Sequence, residues 1–361
     1  MKELDSIIYR AETLGATDIL ISGDGQIHFR IDRDVVPATD MAVTSQQGIL
    51  EEIFSNFPKG TVERYRQDLA DVNDVDCGFN SNFTSRVRAN IYNTVKGLEF
   101  AIRLIPKNRL TAEQIGIPTA ALDAVNVQSG LFLTTGISGS GKTTTIAAIL
   151  DTINNTKNKH ILTIEDPIEY VFENRKCVFS QREILTHSSG YDRALRSAVR
   201  ENADIILIGE MRDFPTVKAA IELAETGHLV ISTLHTRNTI SSIDRILSIT
   251  SSAEATNIRA MLSTQLVGIL SQSLLPLKAG GLIASFEFLK PTDAIRNLIR
   301  EERLTHIYNE LQTGGKLGMC TMEQYLYWLV ERDLVSIETA MVNTSKPNVL
   351  AELLKNGGLI R

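Results

Sequence analysis

The chain has 361 residues, long enough for two domains, and its 43% hydrophobic and 22% charged residues are those of an ordinary globular protein. Lys plus Arg total 37 against 43 Asp plus Glu, a formal charge of −6. The broad cationic surface that non-specific nucleic-acid binding needs is therefore missing, and no nucleic acid is expected as a partner. Cys77, Cys177 and Cys320 lie far apart without a CxxC pair, which argues against a disulfide framework and a four-cysteine zinc site and fits reduced thiols in the cytoplasm.

The opening MKELDSIIYRAETLG mixes charges through its apolar positions and does not read as a signal peptide. Leu4, Ile7, Ile8, Ala11 and Leu14 fall at helical spacing, predicting a helix from about Lys2 to Leu14 that Gly15 can stop. Alternating stretches at 18–22 and 26–32 predict strands, with Gly23 and Gly25 in the turn between them. A helix follows over 45–54, then strands at 86–92 and 98–104 joined near Lys96-Gly97. This outlines a compact α+β domain over residues 1–105. Residues 106–118, with Pro106, Gly116 and Pro118, read as a linker to a larger domain at 119–361.

There the rhythm changes. Apolar runs at 129–135, 160–165, 204–209 and 228–234 alternate with helical segments at 142–154, 190–201, 214–225 and 238–248. Strands apolar nearly throughout, each followed by a helix, predict an α/β fold with a largely parallel sheet buried on both faces. Beyond about residue 253 the pattern is mainly helical, interrupted by one strand at 282–289. No window approaches ~18 consecutive apolar residues, so no membrane span is expected.

Residues 136–143 read Gly136-Ile137-Ser138-Gly139-Ser140-Gly141-Lys142-Thr143, a complete GxxxxGK[ST] between an apolar strand and a helix, with Thr144 next in the same stretch. Glycines let backbone N–H groups curl around phosphate oxygens, and the helix N-terminus faces the same anion. Lys142 is placed for the β- and γ-phosphates, and the Thr143 hydroxyl for Mg²⁺. The implied cofactors are ATP and Mg²⁺.

Such a loop needs carboxylates at the ends of neighbouring strands. Two segments offer them: HILTIEDPIE, with Glu165, Asp166 and Glu169, and DIILIGEMRD, with Glu210 and Asp213. Glu210 directly follows an apolar run and is the candidate for handling Mg²⁺ and water. Gly209 stands where Asp is often found and would let the backbone approach the nucleotide. Asp213, before Phe214-Pro215 and a helix, reads more simply as an N-cap. Spacing does not single out the general base among Glu165, Asp166 and Glu169. In GHLVISTLHT, His228 and His235 bracket one strand. A strand-end histidine is usually structural, but a neutral imidazole can hydrogen-bond a γ-phosphate and report its presence.

The order P-loop, IEDPIE, GEMRD, GHLVISTLHT resembles the type II/IV secretion ATPase superfamily and, within it, the type IV pilus retraction ATPases of the PilT family, whose Walker A, Asp box, Walker B and His box these segments match. The likeness continues through Gln181-Arg182-Glu183, Ala194-Leu195-Arg196-Ser197, AIRNLIRE at 294–301 and Gln312-Thr313-Gly314-Gly315. It implies a PAS-like N-terminal domain on a RecA-like core, assembled as a homohexamer. It makes Glu169 the general base, Glu210 the Walker B acid, and His228 and His235 the His-box pair. It also makes Arg86, Arg88 and Arg103 arginines that reach a nucleotide at a subunit interface.

Departures from the family pattern are Ile137 after the first P-loop glycine, Asn202-Ala203 for a usual Asp-Pro, and Asp32-Arg33-Asp34 without the usual glycine turn. Extension ATPases of these systems typically carry a four-cysteine zinc site, which this chain lacks. The expectation is a cytoplasmic motor powering pilus retraction, joined to the inner membrane through a pilus platform protein and working with other pilus ATPases. A related secretion or conjugation ATPase, or a non-catalytic ATP-binding regulator, are the alternatives. The AIRNLIRE helix, with Ile295, Leu298 and Ile299 on one face and Arg296 and Arg300 on another, reads by spacing as an amphipathic surface helix. The resemblance implies a coupling role for it.

Overall fold

The computed structural model describes residues 2–31, 34–83, 86–251 and 253–360. The chain forms two compact units: one of Met1–Arg109, Asp166–Glu173 and Gln181–Ser189, the other of Leu110–Glu165, Asn174–Ser180 and Gly190–Arg361.

The first unit runs α1 (Glu3–Thr13), β1 (Asp18–Ile21), β2 (Gln26–Ile31), β3 (Asp34–Ala42), α2 (Gln46–Phe54), α3 (Lys59–Asp71), β4 (Asp74–Phe79), β5 (Arg86–Thr94) and β6 (Gly97–Ile105). Its six strands form an antiparallel sheet in the order β3-β2-β1-β6-β5-β4. Period-two alternation sends Ile19, Ile21, Phe29, Val87, Ala89, Ile91 and Ile102 to one face, where they share a core with Ile7 and Ile8 of α1 and Ile49 and Ile53 of α2. Helix α1 ends as foreseen, with Gly15 at φ +69°.

Three elements here escape sequence reading. Strand β3 is a sheet edge, exposed along most of its length and carrying Pro37, so it shows no alternation. Helix α3 buries only Thr61 and Tyr65, too little for an apolar stripe. Strand β4 starts directly beyond it. Of the departure at Asp32-Arg33-Asp34, Asp32 and Arg33 lie outside the described residues, and Asp34 opens β3.

The second unit begins with α4 (Ala112–Ile115) and α5 (Thr119–Ala124), then β7 (Gly130–Thr135), α6 (Lys142–Thr156) and β8 (His160–Glu165). Next come β9 (Val178–Glu183), whose residues from Gln181 on are assigned to the first unit, α7 (Tyr191–Ala198), β10 (Ile205–Ile208), α8 (Phe214–Glu225), β11 (Leu229–Leu234), α9 (Thr239–Ser248) and α10 (Ala255–Gln265). The chain continues with β12 (Leu266–Pro276), β13 (Leu282–Leu289), α11 (Asp293–Arg300), α12 (Ile307–Thr313), α13 (Met322–Glu331), α14 (Ile337–Asn343) and α15 (Pro347–Asn356). Helix α4 lies inside the stretch read as linker and starts with a Thr111/Gln114 capping box.

The sheet order is β13-β12-β7-β11-β10-β8-β9. Strands β12, β7, β11, β10 and β8 are parallel, and β13 returns antiparallel on β12. The region beyond residue 253 thus holds two strands, not one. Strand β12 is buried along most of its length and follows a helix without a break. Without alternation, periodicity cannot separate such a run from a helix. Among the described residues no helix is long and apolar enough to cross a membrane.

Because β7, β11, β10 and β8 are parallel neighbours, the residues following each one gather along a single sheet edge. Those are the loop after Thr135, His235, Glu210 and the strand-ending Glu165.

Candidate nucleotide-binding site

The loop after β7 owes its shape to backbone conformations that glycine alone adopts freely. Gly136 has φ +150°, and a Cβ there would stand 2.4 Å from the Gln272 carbonyl oxygen and 2.5 Å from Ser140 Oγ. Gly141 caps α6 at φ +86° and brings no side chain to compete for the helix's leading N–H groups. Lys142, only 8% exposed, curls over the loop, its Nζ donating to the carbonyls of Gly136 at 2.7 Å and Ile137 at 3.0 Å. An ammonium held at the mouth of a helix N-terminus is an anion site.

Two neighbouring strand ends meet that ammonium. His235 Nδ1 lies 3.4 Å from Lys142 Nζ, and its Nε2 lies 3.1 Å from Glu210 Oε1. The other Glu210 oxygen accepts from Arg212 Nε at 2.8 Å. Since the lysine can only donate, Nδ1 must accept, which puts the ring proton on Nε2, facing the carboxylate. Glu165 is buried at the end of β8, where its Oε1 accepts from Thr163 Oγ1 at 2.6 Å. Lys142, His235 and Glu210 form one cluster, with Glu165 at the end of the next strand.

Gly209 has a different reason than its sequence position suggests. A Cβ there would come within 3.4 Å of Glu165 Cα and 3.3 Å of the Tyr191 hydroxyl, so the residue makes room for neighbouring strand and helix. Asp213 is the N-cap of α8, accepting from Thr216 N at 3.0 Å. His228 is not in the cluster. It precedes the first residue of β11, at the opposite end of the strand from His235, and its Nδ1 lies 3.0 Å from the Leu223 carbonyl oxygen. A six-residue strand keeps the two histidines roughly 20 Å apart.

The remaining site candidates belong to the first unit. Arg86 is buried with its guanidinium engaged on several sides: Nη2 donates to Glu183 Oε2 at 2.6 Å and to the Gly78 carbonyl at 3.0 Å, Nε to the Ile168 carbonyl, and Nη1 to Asn80 Oδ1. Glu183 Oε2 also accepts from Ile168 N at 3.0 Å, so this ion pair fixes the segment that carries Glu169. Arg88 lies 3.5 Å from Glu169 and 3.8 Å from Asp76. Arg88 and Arg103 are direct cross-strand partners on β5 and β6. Arg103 Nε donates to Asp18 Oδ1 at 2.9 Å, with 62% of its side chain exposed. Like charges placed opposite one another repel, and Asp18, Asp76 and Glu169 offset that repulsion.

Gln272 is the site residue that sequence reading missed. Buried on β12, it accepts from Thr145 Oγ1 at 2.6 Å, and its carbonyl and amide border Gly136 and Gly141. It braces the phosphate loop from behind, and no motif marks it.

Residues 2–318 match the profile of the family described as Type II/IV secretion system protein. The type IV pilus retraction ATPase PilT of Pseudomonas aeruginosa is 40% identical over 335 residues, covering 92% of this chain and 95% of that one. The twitching motility protein of Neisseria gonorrhoeae is 43% identical over 277 residues, covering 76% of this chain and 73% of that one. Among solved structures, the pilus retraction motor PilT with bound ADP superposes with a TM-score of 0.86 at 38% identity, covering 97% of this chain and 99% of that one. With an antiparallel-sheet unit and a RecA-like α/β unit, the chain belongs to the type II/IV secretion system protein family and is an ATPase homologous to the type IV pilus retraction ATPases.

Proposed function

We propose that the chain hydrolyses ATP to retract a type IV pilus. The observation that carries this reading is the convergence of Lys142, His235 and Glu210 beside the phosphate loop, in a chain resembling retraction ATPases over nearly its full length. Lys142 holds the β- and γ-phosphates. His235, between cation and carboxylate, senses whether the γ-phosphate is present. Thr143 at the start of α6 and Glu210 at the end of β10 supply hydroxyl and carboxylate oxygens, the hard donors that suit Mg²⁺. Bound there, Mg²⁺ would neutralise charge on the phosphates.

Glu169 is the proposed general base, oriented by Arg88. Arg88 and Arg103 are the proposed cations for a neighbouring subunit's nucleotide in a ring of six. Arg86, engaged within its own unit, is assigned to holding the Glu169 segment in place. The same reading gives residues 1–105 as a PAS-like domain and 119–361 as the motor domain. It also places the ring in the cytoplasm against an inner-membrane platform protein, beside other pilus ATPases.

The test is paired. ATP turnover per chain should rise with concentration as hexamers appear by light scattering, and deleting the gene should leave cells piliated but unable to retract. Activity independent of concentration in a proven monomer, or normal retraction without the gene, contradicts the reading.

A further inference from the structure

His235 owes its place to the short segment that follows it, and that segment is tied down at every residue. Thr236 Oγ1 and Ser242 Oγ are 2.7 Å apart, and the Arg237 carbonyl accepts from Ser271 Oγ at 3.1 Å. Asn238 caps α9 in a capping box with Ser241. Thr239 is held by a side chain from a different strand. Glu287 Oε1, on β13, accepts from both Thr239 N at 2.8 Å and Thr239 Oγ1 at 2.7 Å. The second oxygen of the same carboxylate accepts from Met322 N, the first residue of α13, at 3.3 Å.

This carboxylate is only 4% exposed. Burying one is costly unless hydrogen bonds compensate it, and here three donors do. Neither helix needs it as a cap, because α9 has its Asn238 box and α13 has a Thr321/Gln324 box. What Glu287 adds is a connection between two helix starts 83 residues apart, Thr239 and Met322. Its strand position extends that connection to the phosphate loop. Thr135, Ser271 and Glu287 stand in one register row across β7, β12 and β13, and Thr135 immediately precedes Gly136.

We propose that Glu287 is a positioning residue for ATP turnover, locking the segment that presents His235 to the start of helix α13. Movement of the C-terminal helices is then felt at His235, and the state of the nucleotide site is felt at α13. The inference rests on the reading of His235 as a participant in turnover.

The test is a double-mutant cycle on the full chain. It measures kcat for ATP hydrolysis and the Kd of a fluorescent ADP analogue, with circular dichroism as the folding control. Glu287→Gln keeps the shape but replaces one accepting oxygen with an NH₂ group. Misplacing a catalytic group by about 1 Å costs up to roughly 100-fold in rate, so kcat should fall about 10- to 100-fold. Nucleotide Kd should stay within about 3-fold, because the phosphate loop itself is untouched. The decisive readout is non-additivity. A residue that acts through His235 loses its effect once His235 is gone, so His235→Ala/Glu287→Gln should match His235→Ala within about 2-fold.

Losses that multiply, or a wild-type kcat in Glu287→Gln, overturn the inference while leaving His235 in its role. A wild-type kcat in His235→Ala removes that role and the inference together. Should Glu287→Gln fail to fold, Thr239→Val, which deletes only the hydroxyl donor, carries the same cycle with the same outcomes.

Discussion

Glu210 and His235, at the ends of the neighbouring strands β10 and β11, face each other with Oε1 and Nε2 3.1 Å apart. With Lys142 on its other nitrogen, the imidazole links the P-loop lysine to the acid proposed to handle magnesium and water. The arrangement needs three parallel strands in adjacent positions, which the order β7-β11-β10 provides.

Glu210→Gln and Glu169→Gln should each suppress hydrolysis while sparing ATP binding. Losing a group that positions or deprotonates water costs on the order of 10²–10⁴ in rate. Steady-state turnover together with nucleotide titration separates the two effects. Near-normal turnover in Glu169→Gln would move the base to Glu165, buried at the end of β8.

Two arginines named together on sequence grounds should behave differently. Arg86→Ala strands Glu183 as an unpaired buried charge, a loss of roughly 3–5 kcal/mol in unfolding free energy. Arg103 is mostly exposed, so Arg103→Ala should change stability by about 0–1 kcal/mol while lowering turnover in the assembled ring. Denaturant titration beside an ATPase assay reads both. Equal destabilisation by the two variants would contradict the assignment.

How much of this was legible in the sequence follows from how parallel sheets are built. Strands buried on both faces read as continuous apolar runs, and the first polar residue beyond each run marks the strand's carboxyl edge. Glu165, Glu210 and His235 are visible for that reason. His228 shares the motif, but it sits at the other end of its strand. Gln272 was hidden because β12 is buried without alternation and continues straight from a helix. The Arg86–Glu183 pair spans 97 residues of sequence, and no periodicity links positions so distant.

Helix α11 illustrates a pattern read correctly whose faces carry unequal weight. Ile295 and Ile299 are fully buried and Leu298 only half-buried, while Arg296 donates to the carbonyls of Ser263 and Thr264 at the end of α10. Ile299→Ala should cost roughly 2–5 kcal/mol as a core cavity. Leu298→Ala should keep ATPase activity and stability while slowing pilus retraction in cells, if α11 couples hydrolysis to motion. Equal loss of ATPase and retraction in a folded Leu298→Ala protein would reject that coupling role.

The thiols of Cys77 and Cys320 give a pH test of the packing. Burial pushes Cys77 from the ordinary 9.0 up to about 12, helped by Glu183 and Asp76, and pushes Cys320 up to about 11. Folding therefore favours the neutral thiol. The contribution is complete below about pH 9 and is lost as pH rises through the folded values. At pH 8 a disulfide reagent should label neither Cys77 nor Cys320 in the native chain and both of them, with Cys177, after denaturation, because the thiolate is the reacting form. Rapid native labelling of Cys77 would contradict the buried sheet.

Hydrolysis at the loop around Lys142 is proposed to pull the pilus. Lys142→Ala removes the phosphate-binding cation, and the most direct measurement is the retraction rate of labelled pili in cells carrying that variant as their sole copy, with folding checked on the purified protein. The expected result is pili that extend and do not retract, and no measurable ATP turnover in vitro. Retraction at the wild-type rate by a folded Lys142→Ala protein would contradict it.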